Sequence, residues 1–364
     1  MDFDLTDEQR LLAEAVGRFV TDRYDFASRA SRGADTWAEL AGLGLLGIGF
    51  AEEDGGFGGG GIERMIVAEA FGRGLVDEPW LATAILAGGA LRLAGSAEQK
   101  AARIERIIGG EHRMALAHGE RHGLRHALEA RGVSAAADGD GWRISGEKIA
   151  VIHGAAADEF VVTALVDGTT GLFLVAAGDA GVDRATVAGY DGQPVTTVRF
   201  DGARAERLGG DAGAALAAVF DEATAVVCAE AVGAMAELVD LTGEYLKTRK
   251  QFGVALGSFQ ALQHRLVDMY MQLELSRSAA MHAALAVDQP AAQRSLNIAA
   301  AKAQIGRAGR MVGQNAVQLH GAIGFTDELK VGHLFKRLTA IDALFGDADH
   351  HIGKIARAGG LPAL

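Results

Sequence analysis

Apolar positions recur at helical spacing, switch to alternation, and then return to helical spacing. In the first stretch Leu11, Leu12, Ala15, Val16, Phe19 and Val20 trace one helical face. They follow Thr6-Asp-Glu-Gln9, a capping box in which Thr6 accepts from the helix N-terminus and Gln9 reaches back. A second helix is expected over Trp37–Leu43, ahead of the glycine-rich loop Glu53–Gly61. From Met114 to about Gly209 the pattern becomes strand-like. Asp138-Gly-Asp-Gly141 turns between Val133-Ser-Ala-Ala and Trp142-Arg-Ile-Ser. Asp167-Gly-Thr-Thr-Gly171 turns between Phe160–Val166 and Leu172–Val175, and Thr196–Phe200 is a further strand. Long helices are then expected over about 213–249, 258–287 (stopping before Pro290) and 291–318. The chain is therefore read as α+β in three segments, 1–113 helical, 114–209 β, and 210–364 helical, with no internal repeat and no low-complexity linker.

Composition narrows the function classes. The 364 residues and 49% hydrophobic content suffice for two or three domains with a large core. Net charge is −12, and basic residues are scattered, so nucleic acid and anionic membrane are not expected partners. The longest apolar run noted, Leu40–Ala51, is short and glycine-rich, well under the roughly 20 residues of a membrane helix. The chain opens Met-Asp-Phe-Asp without a basic stretch, so no secretory signal is expected. The single Cys228 excludes an intrachain disulfide and, with the absent signal, points to the cytoplasm. Cys228 lies in Ala225-Val-Val-Cys-Ala and reads as a small core residue rather than a nucleophile.

The segment Tyr245–Met269 carries the most chemistry. Arg249 and Lys250 stand at a helix C-terminus beside a turn with Gly253 and Gly257, and Ser258 is placed to cap the next helix. Such a corner suits an anionic or planar ligand, although many helix hairpins share these traits. A second loop, Gln318-Leu-His-Gly-Ala-Ile-Gly-Phe325, follows the last long helix; taken alone, its glycine spacing says little.

Together these two segments resemble the acyl-CoA dehydrogenase family. The first matches that family's arginine, then Gln-Phe-Gly, then Phe-Gln. The second matches its Gln-x-x-Gly-Gly-x-Gly-aromatic loop, with Ala322 at the second glycine. The order of helices, β-domain and four-helix bundle extends the resemblance over the whole chain. It implies FAD, an acyl-CoA substrate, an electron-transfer flavoprotein as acceptor, and a dimer or tetramer in which each of these segments reaches a neighbour's FAD. It assigns FAD contacts to Arg249, Gln251, Phe252, Leu256, Phe259, Gln260, Gln318, Gly321 and Ala322. Arg249 would face the pyrophosphate and Gln318 the adenosine portion.

The same resemblance shows what this chain lacks. The reaction needs a glutamate to take the α-proton while the β-hydrogen leaves as hydride. One family position for that base falls on Phe345, in Leu344-Phe-Gly-Asp, and the other on Ala223, followed by Thr224. Glu222 is one residue off, rotated ~100° around a helix, and is expected to be a solvated surface carboxylate, with a base role as the rival. The family's flavin-facing Thr-Glu-x-x-x-Gly-Ser-Asp is replaced by Ala117-His-Gly-Glu-Arg-His-Gly-Leu-Arg125. Its Trp-Ile-Thr is replaced in Gly146-Glu-Lys-Ile-Ala-Val-Ile-His-Gly154, which puts Ala150 and Ile152 at the contact places. A chain that retains what it donates and lacks what it would need to receive resembles the small subunit of two-chain enzymes, such as pimeloyl-CoA dehydrogenase and steroid side-chain dehydrogenases. The expected partner is then a second acyl-CoA dehydrogenase subunit bearing the glutamate. The rivals are a self-sufficient homo-oligomer using Glu222 and a flavin-free structural or binding homologue. The acyl group is not readable, although small residues along 213–249 would admit a bulky one.

Other candidates have bland readings. The Glu53–Gly61 loop lacks the Lys-Ser/Thr of a phosphate cradle and reads as structural. His118, His122 and His153 have no metal-ligand spacing, and Asp349-His350-His351 is expected to begin the last helix. No metal is expected. Glu328 is expected to cap or pair locally.

Overall fold

The structure, a computed structural model, describes residues 4–31, 36–121 and 128–360. His122 and the rest of 122–127 lie outside the described residues. The elements in chain order are α1 Asp7–Arg23, α2 Thr36–Gly42, α3 Gly61–Gly74, a π-helical turn Leu81–Ala87, α4 Gly88–Ala94, α5 Ala97–Ala101 and α6 Ile104–Ile108. The strands β1 Met114–Ala117, β2 Ser134–Asp138, β3 Gly141–Ile152, β4 Glu159–Val166, β5 Thr169–Ala176, β6 Val182–Ala188 and β7 Pro194–Arg207 follow. Then come α7 Ala212–Thr248, β8 Lys250–Gln251, β9 Val254–Ala255, α8 Gln260–Ala286, α9 Ala291–His320, α10 Lys330–Ala343 and α11 Ala348–Arg357. This is the helix, sheet, helix order expected.

Contacts divide the chain into two compact units that interleave in sequence. One holds 1–33, 60–76 and 224–364, and the other holds 34–59 and 77–223. The grouping cuts across the sequential segments 1–113, 114–209 and 210–364. Residues 34–59 and 77–113 join the strands, the rest of the first segment joins the C-terminal helices, and α7 gives its first turns to one unit and the rest to the other.

In the β-containing unit, β5 pairs with both β4 and β7, so the path β4-β2-β3-β7-β5 closes on itself, while β1 and β6 attach at its margins. Phe160, Phe173, Phe200, Val162, Val175 and Ile144 fill the core of this sheet. Strand β7 is far longer than Thr196–Phe200, and β6 was not expected. Five of its seven residues are neither strongly apolar nor regularly alternating, and six are exposed, so it leaves no hydrophobic period. The β3–β7 pairing slips between Ile144 and Gly146 and again between Lys148 and Val151.

In the helical unit the expected capping box closes α1: Thr6 accepts from the Gln9 N–H, and Gln9 Oε1 accepts from the Thr6 N–H at 3.0 Å. Of the face predicted for α1, Val16, Phe19 and Val20 are buried but Leu11 is 64% exposed. Glycines inside α3 and α7 let these helices touch. A Cβ on Gly72 would lie 1.9 Å from the Glu230 carbonyl oxygen, and one on Gly233 would lie 1.8 Å from that of Glu69. Beside this crossing Arg337 donates to both carboxylate oxygens of Glu230, at 2.5 and 2.9 Å, with both side chains buried. Helix α7, not Leu40–Ala51, is the longest apolar stretch. It is long and apolar enough to cross a membrane but is mostly buried inside the protein, as a core helix is.

Candidate functional site

Two exposed segments meet at one end of the helical bundle. Tyr245, in the last turn of α7, stacks on His320, the last residue of α9, with ring centroids 4.4 Å apart. Its hydroxyl donates to the His320 carbonyl at 3.3 Å. Arg249 and Gly321 follow these two residues closely in sequence, so this contact sets both predicted flavin segments side by side. Burial pushes the His320 imidazole below its ordinary value, which keeps that ring neutral and suited to stacking.

The Arg249 segment is a miniature hairpin rather than an open loop. Lys250 pairs with Ala255 and Gln251 with Val254, and Leu256 N–H donates to the Arg249 carbonyl at 2.8 Å. The two turn residues, Phe252 and Gly253, have φ of +54° and +83°. Such a two-residue turn favours Asn-Gly, since φ > 0 is costly for an aromatic residue. Phe252 is nevertheless 90% exposed and touches Phe259 edge-to-face at 6.1 Å. Ser258 does not cap α8. Its hydroxyl donates to the Ala255 carbonyl at 2.7 Å, and Phe259 occupies the N-cap without a side-chain bond. Arg249, Gln251, Gln260, Gln318, Gly321 and Ala322 are exposed and Leu256 is half-buried. Phe325 is 73% exposed beside them in sequence.

The positions that could hold a base are different. Ala223 is fully buried. Glu222 is not the solvated carboxylate expected: it is 5% exposed and its Oε2 accepts from Arg92 at 2.7 Å. The turn of α7 that carries it packs inward, and a guanidinium is bonded to one oxygen of its carboxylate. Phe345 is half-buried at φ +57°, followed by Gly346 at φ +107°. This turn is held from inside. His351 Nε2 donates to the Phe345 carbonyl at 3.1 Å, and Lys302 Nζ donates to the carbonyls of Asp342 and Gly346 at 2.9 and 2.8 Å. Burial lowers the Lys302 ammonium below its ordinary range and, with Lys302 nearby, pushes His351 down to about 3. Asp347 caps α11 by accepting from the His350 N–H, so the last helix begins where expected.

Sequence reasoning missed the buried lysines. Lys148 is fully buried on β3 and donates to Glu120 Oε1 at 2.6 Å, Thr163 Oγ1 at 2.9 Å and the His118 carbonyl at 3.1 Å. Burial pulls it down to about 8 against the pull of Glu120. The available signal was a lysine among the alternating apolar residues of a strand. His118 Nδ1 meets Thr163 Oγ1 at 3.1 Å and its ring packs on Phe220, so it is tied into this network. Ala150 sits at the β3 bulge with φ +55°, a backbone shape the sequence did not signal. His153 is buried with Nε2 3.1 Å from Gln193 Oε1. Among the described residues no group of three or more His, Cys, Asp or Glu is placed to hold a metal. Cys228 is fully buried and its thiol is pushed up to about 12, so it is an inert core residue as expected. Glu328 is exposed and does not cap α10, whose N-cap is Leu329.

Residues 6–111 match the acyl-CoA dehydrogenase N-terminal domain and residues 212–360 match the acyl-CoA dehydrogenase C-terminal domain. This chain belongs to the acyl-CoA dehydrogenase family. The acyl-CoA dehydrogenase FadE27 of Mycobacterium tuberculosis is 30% identical over 333 residues, 89% of this chain and 87% of the relative. The solved ChsE4-ChsE5 complex from Mycobacterium tuberculosis contains a chain 30% identical, with TM-score 0.89 and full coverage of both. The Tcur3481-Tcur3483 steroid acyl-CoA dehydrogenase, solved as a G363A variant, is 29% identical with TM-score 0.86, covering 96% of this chain and 97% of that one. Acyl-CoA dehydrogenases are oligomeric flavoproteins of lipid metabolism, and solved relatives hold FAD.

Proposed function

We propose that this chain is the small subunit of a two-chain, FAD-dependent acyl-CoA dehydrogenase. It takes part in α,β-dehydrogenation of an acyl-CoA thioester, and a partner chain of the same fold supplies the catalytic glutamate. The observation that carries this reading is Phe252, an aromatic residue in left-handed backbone and 90% exposed, at an end of the bundle lined by residues suited to a dinucleotide. Apart from its edge contact with Phe259, the ring is not buried in its own chain to offset that strain, which favours a use outside it.

The residues present fit FAD by their chemistry. Arg249 is a permanent cation with forked donors for a pyrophosphate. The amides of Gln251, Gln260 and Gln318 can each donate and accept. Phe252, Phe259 and Leu256 give apolar contact, and Gly321 and Ala322 add little bulk, leaving the loop backbone open to close approach. FAD, when bound, supplies the acceptor for the β-hydrogen as hydride. This chain's share is to bind and orient that group and to exclude water, because Phe345 and Ala223 cannot take a proton and Glu222 is held by Arg92. The relatives solved as ChsE4-ChsE5 and as a steroid acyl-CoA dehydrogenase favour two unlike subunits and a bulky, steroid-type acyl group over a short one. An electron-transfer flavoprotein is the proposed acceptor.

The test is turnover with the chain alone and with a glutamate-bearing second chain. Alone it should show about 10²- to 10⁴-fold less acyl-CoA-dependent dye reduction, the usual worth of a general base. In the complex, Arg249→Ala should lower flavin content, whereas Glu222→Gln should leave turnover nearly unchanged. A pure homo-oligomer that reduces its own flavin with an acyl-CoA and loses this on Glu222→Gln would overturn the proposal.

A further inference from the structure

Tyr245 joins the two flavin segments at their roots. Its carbonyl accepts from the Arg249 N–H at 2.8 Å, so the arginine backbone hangs from the last turn of α7. Its ring stacks on His320 with an interplanar angle of 29°, and its hydroxyl donates to the His320 carbonyl, from which Gly321 continues. Each segment is also seated on its own helix. A Cβ on Gly257 would lie 3.1 Å from the Leu246 carbonyl oxygen, and one on Gly324 would lie 3.0 Å from that of Val317. The hairpin therefore follows α7, the Gly321–Phe325 turn follows α9, and the Tyr245–His320 pair bridges the two helix ends.

Neither ring is disposed to meet a ligand itself. His320 is 5% exposed, and its Nδ1 donates to the Ala316 carbonyl at 2.8 Å inside its own helix. Tyr245 is half-buried with its hydroxyl engaged, whereas Arg249 and Gln318 are exposed. The pair's effect is thus positional, and its chemistry lies in what it links. Arg249 is proposed to meet a pyrophosphate and Gln318 an adenosine portion, two groups that share one flavin only in a dinucleotide. Two contacts held at a fixed separation bind such a ligand more tightly than two loops that must each be ordered. FMN carries one phosphate and no adenosine. It can engage the Arg249 segment, and a fixed Gln318 adds nothing to its binding.

We infer that Tyr245 and His320 are positioning residues that make the two segments one clamp and thereby set a preference for FAD over FMN. Both roles rest on the flavin reading above and name what gives that site its selectivity.

The experiment strips the two-chain complex of flavin and titrates it separately with FAD and with FMN. Tyr245→Leu keeps apolar bulk and removes the ring, so it should weaken FAD about tenfold and FMN by less than about twofold. General damage to the fold would weaken both alike. His320→Ala should repeat the pattern from the other ring. Tyr245→Phe, which keeps the stack and loses only the hydroxyl bond, should hold the FAD-to-FMN ratio near wild type. In the chain alone, hydrogen exchange of the Arg249 and Gly321 amides should quicken in Tyr245→Leu, while amides at the α3–α7 crossing keep their wild-type rates. Equal losses of FAD and FMN, an unchanged ratio in Tyr245→Leu and His320→Ala, a Tyr245→Phe ratio as low as that of Tyr245→Leu, or unchanged exchange at both amides would each overturn the inference. Where Tyr245→Leu fails to assemble, His320→Ala alone decides between these outcomes. The flavin reading fails on a different result, unchanged FAD affinity in Arg249→Ala.

Discussion

Phe252 and Phe345 both sit in left-handed backbone followed by a glycine with positive φ, yet their surroundings are opposite. The Phe345 turn is clamped by Lys302 and His351 through three hydrogen bonds to carbonyls of Asp342, Phe345 and Gly346. The Phe252 turn is held by its two-residue strands, the Leu256 N–H bond to the Arg249 carbonyl and one edge-to-face ring, with no clamp on the turn itself among the described residues. Strain of this kind costs on the order of 1 kcal/mol and persists where surrounding structure enforces it. At Phe345 the fold's own interior enforces it, and the residue is chemically inert. At Phe252 the ring touches Phe259 alone among the described ring contacts and is otherwise bare, which favours a role for that end toward another molecule. The same contrast separates Glu222, buried on Arg92, from Arg249, exposed beside the hairpin.

If interior ionic contacts hold the fold while the bare end serves a ligand, the largest effect on the lone chain should come from the buried lysine of the β-unit. Glu120→Gln leaves the Lys148 ammonium without its counter-charge at 0% exposure. Removing one partner of a buried pair typically costs about 3–5 kcal/mol, so chemical denaturation should show a loss of that order. The Lys148 amine, held near 8 against an ordinary 10.5, disfavours its charged form in the native state. Its penalty is full below about pH 8 and is relieved as pH rises from there to about 10.5. A Glu120→Gln chain as stable as wild type would mean that the network is not structural.

A smaller effect tests the clamp. The native His351 sits near pH 3, against about 6.5 when unfolded, because burial, Lys302, His350 and Lys354 all oppose its charge. The unfolded chain therefore binds a proton that the native chain refuses as pH falls from about 6.5 toward 3. Stability should drop across that window by up to about 1.4 kcal/mol per pH unit from this site. His351→Gln keeps an N–H donor for the Phe345 carbonyl, and its acid limb should be flatter. An unchanged limb would show that other groups set it.

Much of this contrast was legible in the sequence, for identifiable reasons. Helices α7, α8 and α9 fall within two residues of expectation because long apolar periods, Gly257 and Pro290 punctuate them. The two exposed segments were visible because their wording resembles the acyl-CoA dehydrogenase motifs; residue types and glycine spacing alone say little. What stayed hidden depends on contacts distant in sequence. Lys148 meets Glu120 across 28 residues, Glu222 meets Arg92 across 130, and Tyr245 meets His320 across 75. Nothing local to Glu222 says that a guanidinium sits against it, so a surface reading was natural and wrong. Strand β6 was missed because an exposed edge strand has no buried face to impose alternation.

The finest test replaces each phenylalanine by glycine and compares the two. At Phe252, glycine relieves the left-handed strain, which helps, and frees the unfolded chain, which costs about 0.4–1 kcal/mol. The exposed ring has little burial to lose, so the lone chain should change by no more than about 0.5 kcal/mol in either direction. At Phe345 the backbone gain is similar, but a half-buried ring is lost, and that apolar area should leave a net cost of about 1 kcal/mol. Flavin should respond the other way: Phe252→Gly should lower the flavin content of the two-chain complex, because the proposed function gives the exposed ring its main contact there. A Phe252→Gly chain that is clearly destabilised on its own, or that retains full flavin in the complex, would place Phe252 with Phe345 as a structural residue and remove the basis of the comparison.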